Sequence, residues 1–386
     1  MALLNTALSK KHSLTGMAAV LALAFPMHAA MAQTVVKLGF SSPLSGAQSP
    51  NGQDNLDGLK LAVAELNAKP ITVKGQTVKF EVMAEDDAAD PRQGVAVAQK
   101  LVDSKVQFIV GPYNSGVTLP ASKVYNDAGA LVLTVASNPS VTNQGYAGVF
   151  RVGASDNQLG SKMAAYAAKE LKVKRVVIVD DRSAYGQGVA EEFAREAKAQ
   201  KIEIVAREFT NDKANDFSAI LTSARAAKPD AVFLGGYTPQ AGPMLRQMQS
   251  LGLKAKLLGG DGVCSSETAK LAGSNAAAEN NVWCTQGGAM LDRASKGQAF
   301  ITKYKTTYKR DPLTYAVAFY DAAFVLANAM SKAQSLEPAK VGAAMAAGSH
   351  AGVAGTYAFD AKHDLKSSPV TVFTFKDGQP SPVTTY

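Results

Sequence analysis

Short apolar runs alternate with longer amphipathic stretches along nearly the whole chain. Val36, Leu38 and Phe40 take every second position, which predicts a first strand over 35–40. A polar turn over 41–46 follows. Leu56, Leu59, Val63 and Leu66 then recur at helical spacing and predict an amphipathic helix over 52–67. Val78, Phe80 and Val82 predict a second strand. It ends in Glu85, Asp86 and Asp87, read as a solvated loop, with Asp90 capping a helix over 92–102 behind Pro91. The run Val106, Phe108, Ile109 and Val110 is β-branched and aromatic, the mark of a buried parallel strand. Gly111-Pro112 breaks it, and Tyr113, Asn114 and Ser115 link it to a helix starting at Gly116. Residues 131–135 predict the next strand, which ends in Ala136-Ser137-Asn138-Pro139.

The alternation restarts after Arg151. Helices are expected over 157–171, 188–199, 217–227 and 240–251, with strands over 176–179, 202–205, 231–234 and 257–258. Residues 282–285 read as extended, long helices as 296–308 and 315–331, and the last strand as 370–375. Strands alternating with helices imply parallel sheets covered on both faces. The strands are too many for one sheet, and the restart implies two doubly wound α/β lobes.

Ligands in such sheets bind at the carboxyl ends of the strands. Those ends carry Ser41, Ser45, Tyr113, Asn114, Ser115, Ala136, Ser137, Asn138, Tyr185, Tyr237 and Asp261. The set holds hydroxyls, amides, aromatics and one acid, and it lacks a base–nucleophile pair. At Tyr113–Ser115 a strand turns into a helix start, so N–H groups, a hydroxyl and the positive helix end meet in a seat for a small anion. The alternative is a plain connecting loop with Ser115 as N-cap. A zwitterion fits the set, with its carboxylate near Ser115, its ammonium on Asp261 and tyrosines covering it from the other lobe. Tyr185 and Tyr237 as ordinary loop aromatics, and Asp261 as a turn residue between glycines, remain open.

The composition, 47% hydrophobic and 19% charged, is that of a globular protein. Lys10 and Lys11, an apolar stretch over 14–25 and Ala30-Met31-Ala32 read as a signal peptide cleaved after Ala32. That stretch is shorter than the roughly 20 residues of a spanning helix, so an exported, soluble mature protein is expected. Removing residues 1–32 leaves 38 basic against 32 acidic side chains, a net of +6. The charges are dispersed, which argues against nucleic acid. Cys264 and Cys284 are read as a disulfide, with two separate buried thiols as the alternative. His350 and His363 are the only mature histidines, and neither has a cysteine near it, so no metal site is expected. No G-x-x-x-x-G-K-[ST], strand-borne G-x-G-x-x-G or G-x-S-x-G occurs, so no phosphate-bearing cofactor and no enzymatic activity are expected.

The ordered set L-G-F-S-S-P-L-S-G (38–46), E-D-D-A-A-D-P-R-Q-G-V-A-V-A (85–98), V-G-P-Y-N-S-G (110–116), D-D-R-S-A-Y-G-Q-G (180–188), F-L-G-G-Y-T-P-Q (233–240) and L-G-G-D-G-V (258–263) resembles the periplasmic leucine/isoleucine/valine-binding proteins of ABC importers. The resemblance implies a type I periplasmic-binding fold with hinge crossings near 151–154, 284–287 and 363–367. One lobe would hold 33–152 with 286–364, the other 153–285 with 365–386. Ser115 and the backbone at Tyr113 and Ala136 would hold the α-carboxylate and α-ammonium. Asn138 stands where the family has a threonine, Asp261 where it has a glutamate, and Asn51 where an aromatic often lines the pocket. Tyr185, Tyr237 and Tyr315 match lining aromatics. The implied function is a monomeric solute-binding subunit without cofactor. It takes a small amino acid, of the branched-chain class, to a permease with a separate ATPase. An amide or other small polar solute is the alternative ligand, and a soluble sensor subunit for such a ligand the alternative role.

Overall fold

The computed structural model describes residues 33–288, 290–293 and 295–386. The signal peptide expected over 1–32 lies outside the described residues. The first sheet contains β1 (Gln33–Ser42), β2 (Thr72–Val73), β3 (Gln76–Asp86), β4 (Phe108–Val110), β5 (Leu131–Thr134) and β6 (Val149–Arg151), in the order β2-β3-β1-β4-β5-β6. Every pairing is parallel except the β2–β3 hairpin. Helices α1 (Ser49–Ala68), α2 (Pro91–Asp103), α3 (Ser115–Asp127) and α4 (Ser140–Asn143) connect these strands. Leu38, Phe40 and Phe80 bury against Leu59 and Leu66 of α1 on one face. Ile109 and Val132 bury against Val97, Leu101 and Tyr125 of α2 and α3 on the other. Burial on both faces is why the central strands are apolar at nearly every position.

The chain then builds a second sheet. In order come α5 (Asp156–Lys169), β7 (Arg175–Asp180), α6 (Ala184–Ala199), β8 (Glu203–Phe209), α7 (Ser218–Ala226), β9 (Ala231–Gly235), α8 (Thr238–Ser250) and β10 (Lys256–Gly259). A single helical turn over Asp261–Val263 leads to α9 (Ser266–Ala272), α10 (Asn275–Ala278) and β11 (Val282–Gly287). Val176 and Ile178 face α5 and α6, whereas Val177 and Val179 face the Leu221, Met244 and Met248 side chains of α7 and α8. Helices α11 (Ser295–Tyr308), α12 (Ala316–Ala333) and α13 (Pro338–Ala347) follow, and α12 returns to the first lobe. There Phe319 meets Phe40 edge-on at 5.6 Å. After the small pair β12 (His350–Ala351) and β13 (Thr356–Tyr357), strands β14 (Val370–Lys376) and β15 (Gln379–Thr385) complete the second sheet in the order β15-β14-β11-β10-β9-β7-β8.

The chain thus passes between the sheets after β6, after β11 and before β14, and these crossings lie side by side. Arg151 N–H donates to the His363 carbonyl at 3.0 Å, and Gly288 N–H donates to Pro369 at 2.8 Å. Together they form the three-segment hinge of a bilobal fold.

Two local readings change. Glu85 and Asp86 belong to β3, and Asp87 is fully buried, accepting the Ser41 hydroxyl at 2.7 Å. The acidic run is therefore no solvated loop. A neighbouring strand end supplies the donor that lets a carboxylate be buried. Asp90 does cap α2, accepting from the Arg92 and Gln93 N–H groups. The last strand is β15, not 370–375. Pro380 and Pro382 hide it in the sequence, because proline is tolerated only where no further strand needs the missing N–H, as at this sheet edge. No helix among the described residues is long and apolar enough to cross a membrane.

Cys264 and Cys284 are joined, with Cα atoms 5.4 Å apart and a sequence separation of 20. The bond ties the turn at Asp261–Val263 to β11. Replacing both cysteines by serine is expected to lower unfolding free energy by roughly 3 kcal/mol, the chain-entropy value for such a loop. Urea denaturation of the oxidised parent and the variant measures it, and an unchanged midpoint would refute it.

Burial pushes the carboxyls of Asp87, Asp181 and Asp321 up from 3.8 to about 6. The folded state then holds more protons than the unfolded chain between those values, so stability falls as pH rises through that window. Backbone N–H groups hold exposed Asp90 below its ordinary value, an effect lost in stronger acid. The melting temperature is therefore expected to be higher at about pH 5 than at about pH 7. A melting temperature that climbs steadily across that interval would contradict the assignment.

Candidate functional site

The carboxyl ends of both parallel sheets face a cleft between the lobes. Tyr113, Ser115, Ser137 and Tyr315 reach it from the first lobe, and Tyr185, Tyr237 and Asp261 from the second. They enclose a cavity of about 10 Å³. The chain order of these residues spans most of the protein, so only the fold brings them together.

Asp261 is the acid at the centre. Its Oδ1 accepts the Tyr185 hydroxyl at 2.7 Å, and its Oδ2 accepts the Tyr315 hydroxyl. The first bond lies within one lobe and the second spans the cleft. The Tyr185 hydroxyl also accepts the Gly262 N–H at 2.9 Å. Burial drives the Asp261 carboxyl above its ordinary value, and the two phenol donors partly offset this. Burial, with Asp261 nearby, holds the Tyr185 and Tyr315 phenols well above their ordinary value, so they stay neutral donors. Tyr113 packs its ring at 6.2 Å from Tyr237 and 5.8 Å from Tyr315, closing the aromatic wall across both lobes.

Opposite the acid stands the start of α3. Asn114 is its N-cap and Ser115 its first residue, so the reading of Ser115 as the cap shifts by one position. The first-turn N–H groups of Ser115 and Gly116 have no intrahelical acceptor. Gly111 makes this turn possible. Its φ is +120°, and a methyl group there would stand 2.3 Å from the Ser41 carbonyl oxygen. The Ser115 hydroxyl accepts the Asn138 N–H at 3.2 Å and keeps its own proton to donate. A hydroxyl and helix-start N–H groups on the same cavity as a carboxylate can hold a zwitterion with both charges answered.

The remaining expected residues sit around this core. Asn138 donates to the Ala184 carbonyl at 2.6 Å and accepts from Ser140 N–H at 2.9 Å, so its amide ties the two lobes. The Ala136 carbonyl accepts from the fully buried Arg151 guanidinium, which also donates to the Asn138 carbonyl, to Thr142 and to Asp364. Arg151 therefore fixes the loop over 136–138 and anchors it to the third hinge crossing. Asn114 donates to Gln48 at 2.9 Å, and its Oδ1 has no partner. Asn51, buried in the first turn of α1, also has an unpartnered Oδ1. Ala136, Asn138, Asn51 and Asn114 do not line the cavity itself.

Two residues that position the site escaped the sequence reading. Asp54 of α1 is fully buried and accepts from Tyr304, Arg310, Leu313 N–H and Ala316 N–H. It pins the segment that carries Tyr315 to the first lobe. Asp156 begins α5 and is also fully buried, and neither of its oxygens has a hydrogen-bond partner. An acid in the first turn of a helix is ordinary, so no local signal marks it. Among the described residues no group of three or more His, Cys, Asp or Glu side chains is placed to hold a metal ion.

The pattern of the periplasmic binding protein family matches residues 35–380. A Leu/Ile/Val-binding protein homolog of Brucella abortus is 33% identical over 346 residues, 89% of this chain and 91% of the relative. A leucine-, isoleucine-, valine-, threonine- and alanine-binding protein of Pseudomonas aeruginosa is 32% identical over 344 residues, 89% of this chain and 90% of its own. A crystal structure of a leucine-binding protein from Thermotoga maritima superposes with a TM-score of 0.83 at 28% identity, covering 91% of this chain and 98% of that one. A branched-chain amino acid transporter substrate-binding protein from Streptococcus pneumoniae, in complex with isoleucine, gives 0.81 at 27% identity over 91% of this chain and all of that one.

Proposed function

We propose, for a chain that belongs to the periplasmic binding protein family, that it captures a branched-chain amino acid between its lobes and delivers it to the permease of an ABC importer. The observation that carries this reading is the pairing of an anion seat at Ser115 with a buried acid, Asp261, on opposite walls of one inter-lobe cavity. The α-carboxylate sits on the Ser115 hydroxyl and the first N–H groups of α3, and the α-ammonium on Asp261. Tyr113, Tyr185, Tyr237 and Tyr315 exclude water around both.

A cavity of about 10 Å³ is close to the size of one water probe. A ligand of amino-acid size therefore enters with the lobes parted and is enclosed as they close. It bonds both lobes only in the closed form, so it stabilises that form by its differential affinity. The bodies that move are 33–152 with 286–364 and 153–285 with 365–386. The closed face then meets the permease, and a separate ATPase drives transport. The mature protein, cleaved after Ala32, acts in the periplasm as a monomer.

A second reading rests on the unpartnered oxygens of Asn114, next in the chain to Ser115, and of Asn51, neither of which lines the closed cavity. They favour a ligand whose far end donates hydrogen bonds, such as an amide.

Thermal-shift titration of the unfolded and refolded mature protein against the twenty amino acids and small amides tests both readings. At a ligand concentration of about 100 Kd, stabilisation is about 2.7 kcal/mol. Leucine, isoleucine or valine is expected to give the shift. A shift with amides alone moves the ligand to the second reading, and no shift with any α-amino acid overturns the first. Ser115→Ala is expected to weaken leucine binding by about 1.5–3 kcal/mol, the loss of a hydrogen bond to a charged group. Asp261→Ala is expected to abolish it. Parent-like affinity in either variant would remove that residue from the site.

A further inference from the structure

Asp156 is the buried acid that the site described so far leaves unused. It is fully enclosed, and both of its carboxylate oxygens lack a hydrogen-bond partner. Such a group is costly unless something answers its charge. Its surroundings place it at the hinge end of the ligand cleft. Its own N–H donates to the carbonyl of Ser137, a residue that lines the cavity. A methyl group on Gly188 would stand 2.5 Å from both Asp156 Oδ2 and Asn138 Nδ2, so that oxygen and the amide that ties the lobes flank the same glycine of α6. The Tyr185 and Tyr315 phenols feel the charge of Asp156 as well as that of Asp261. Those phenols therefore stand in the field of both acids.

The groups facing Asp156 are Asp261, Ser137, Arg151 and Glu192. Arg151 is the one cation among them, and its guanidinium is committed to Asp364, Thr142 and the carbonyls of Ala136 and Asn138. Among the described residues, no cation of the protein is bonded to Asp156 or Asp261. Burial, reinforced by the charge of Asp261, pushes the Asp156 carboxyl well above the ordinary carboxylate range, the behaviour of an acid that lacks its counter-charge.

Asp156 does not itself line the closed cavity but lies directly behind Ser137, which does. Building on the amino-acid reading above, we propose that Asp156 is a second acid of the ammonium subsite, acting from behind Ser137, so the cleft selects ligands with a cationic nitrogen that answers both Asp156 and Asp261. An ammonium group has three N–H donors, and Asp261 as sole acid would use one or two. The second acid also disfavours a ligand whose only charge is a carboxylate, because it would meet two buried acids with nothing to offset them.

The test compares L-leucine with 4-methylpentanoate, the same skeleton without the amino group, on the refolded mature protein and on Asp156→Asn. Calorimetric titration gives both affinities. The parent is expected to prefer leucine. In Asp156→Asn that preference shrinks by about tenfold or more, the equivalent of one charge-assisted contact. A purely structural role for Asp156 would weaken both probes alike and leave the ratio unchanged, which would overturn the inference while leaving the amino-acid reading intact. Asparagine has the same shape and can still accept from the neighbouring Ser137 hydroxyl, so the variant is expected to fold. Failure to fold would put the carboxylate in the framework and overturn the inference equally. A parent that binds no amino acid in the panel would overturn the functional reading, and this one with it.

Discussion

A carboxylate taken out of water must find donors, and Asp261 finds them on both lobes. Its bond to Tyr185 is internal to the second lobe, whereas its bond to Tyr315 reaches across the cleft. That crossing bond joins the two walls of the cavity. Tyr315 is held in place in turn by a second buried acid. Asp54 gathers the Tyr304 hydroxyl, Arg310 and the N–H groups of Leu313 and Ala316. The two aspartates differ in consequence. Asp54 is fully bonded within one lobe and serves the framework. Asp261 has its second donor on the other lobe, so its solvation changes whenever the lobes move.

The same logic explains the hinge side. Arg151 is fully buried, yet its guanidinium is spent on carbonyls of the loop over 136–138, on Thr142 and on Asp364. It joins a strand end at the ligand cleft to a hinge crossing. The loop over 136–138 and that crossing are therefore held by one side chain. Ser137 and Asn138 on that loop meet Asp156 and Ala184 of the second lobe.

The legible parts of the sequence were those with a local cause. Val176 to Val179 reads as a strand because both faces are buried and each position is apolar. Asp90 reads as a cap because it precedes Pro91 at a helix start. Ser115, Tyr185, Tyr237 and Asp261 were singled out because they stand at strand ends, and the structure brings them to one cavity. Asp87 was misread because its donor, Ser41, lies 46 positions away in the chain. The strand β15 was misread because its prolines are compatible with an edge and with no other place in a sheet. Asp156 was overlooked because an acid at a helix start has an ordinary local explanation, and its burial is decided by α6 and the loop over 136–138.

By itself the sequence determined the class of sheet, the existence of two lobes, the position of the strand ends and the family. These follow from periodicity and from short motifs, in which each residue is explained by its neighbours in the chain. The tertiary structure alone decided which polar groups lose water together. Asp261 with Tyr315, Asp54 with Arg310, Ser41 with Asp87 and Asn138 with Ala184 are pairs separated by dozens to hundreds of residues. Desolvation and its relief depend on distance in space, and no local pattern encodes that distance.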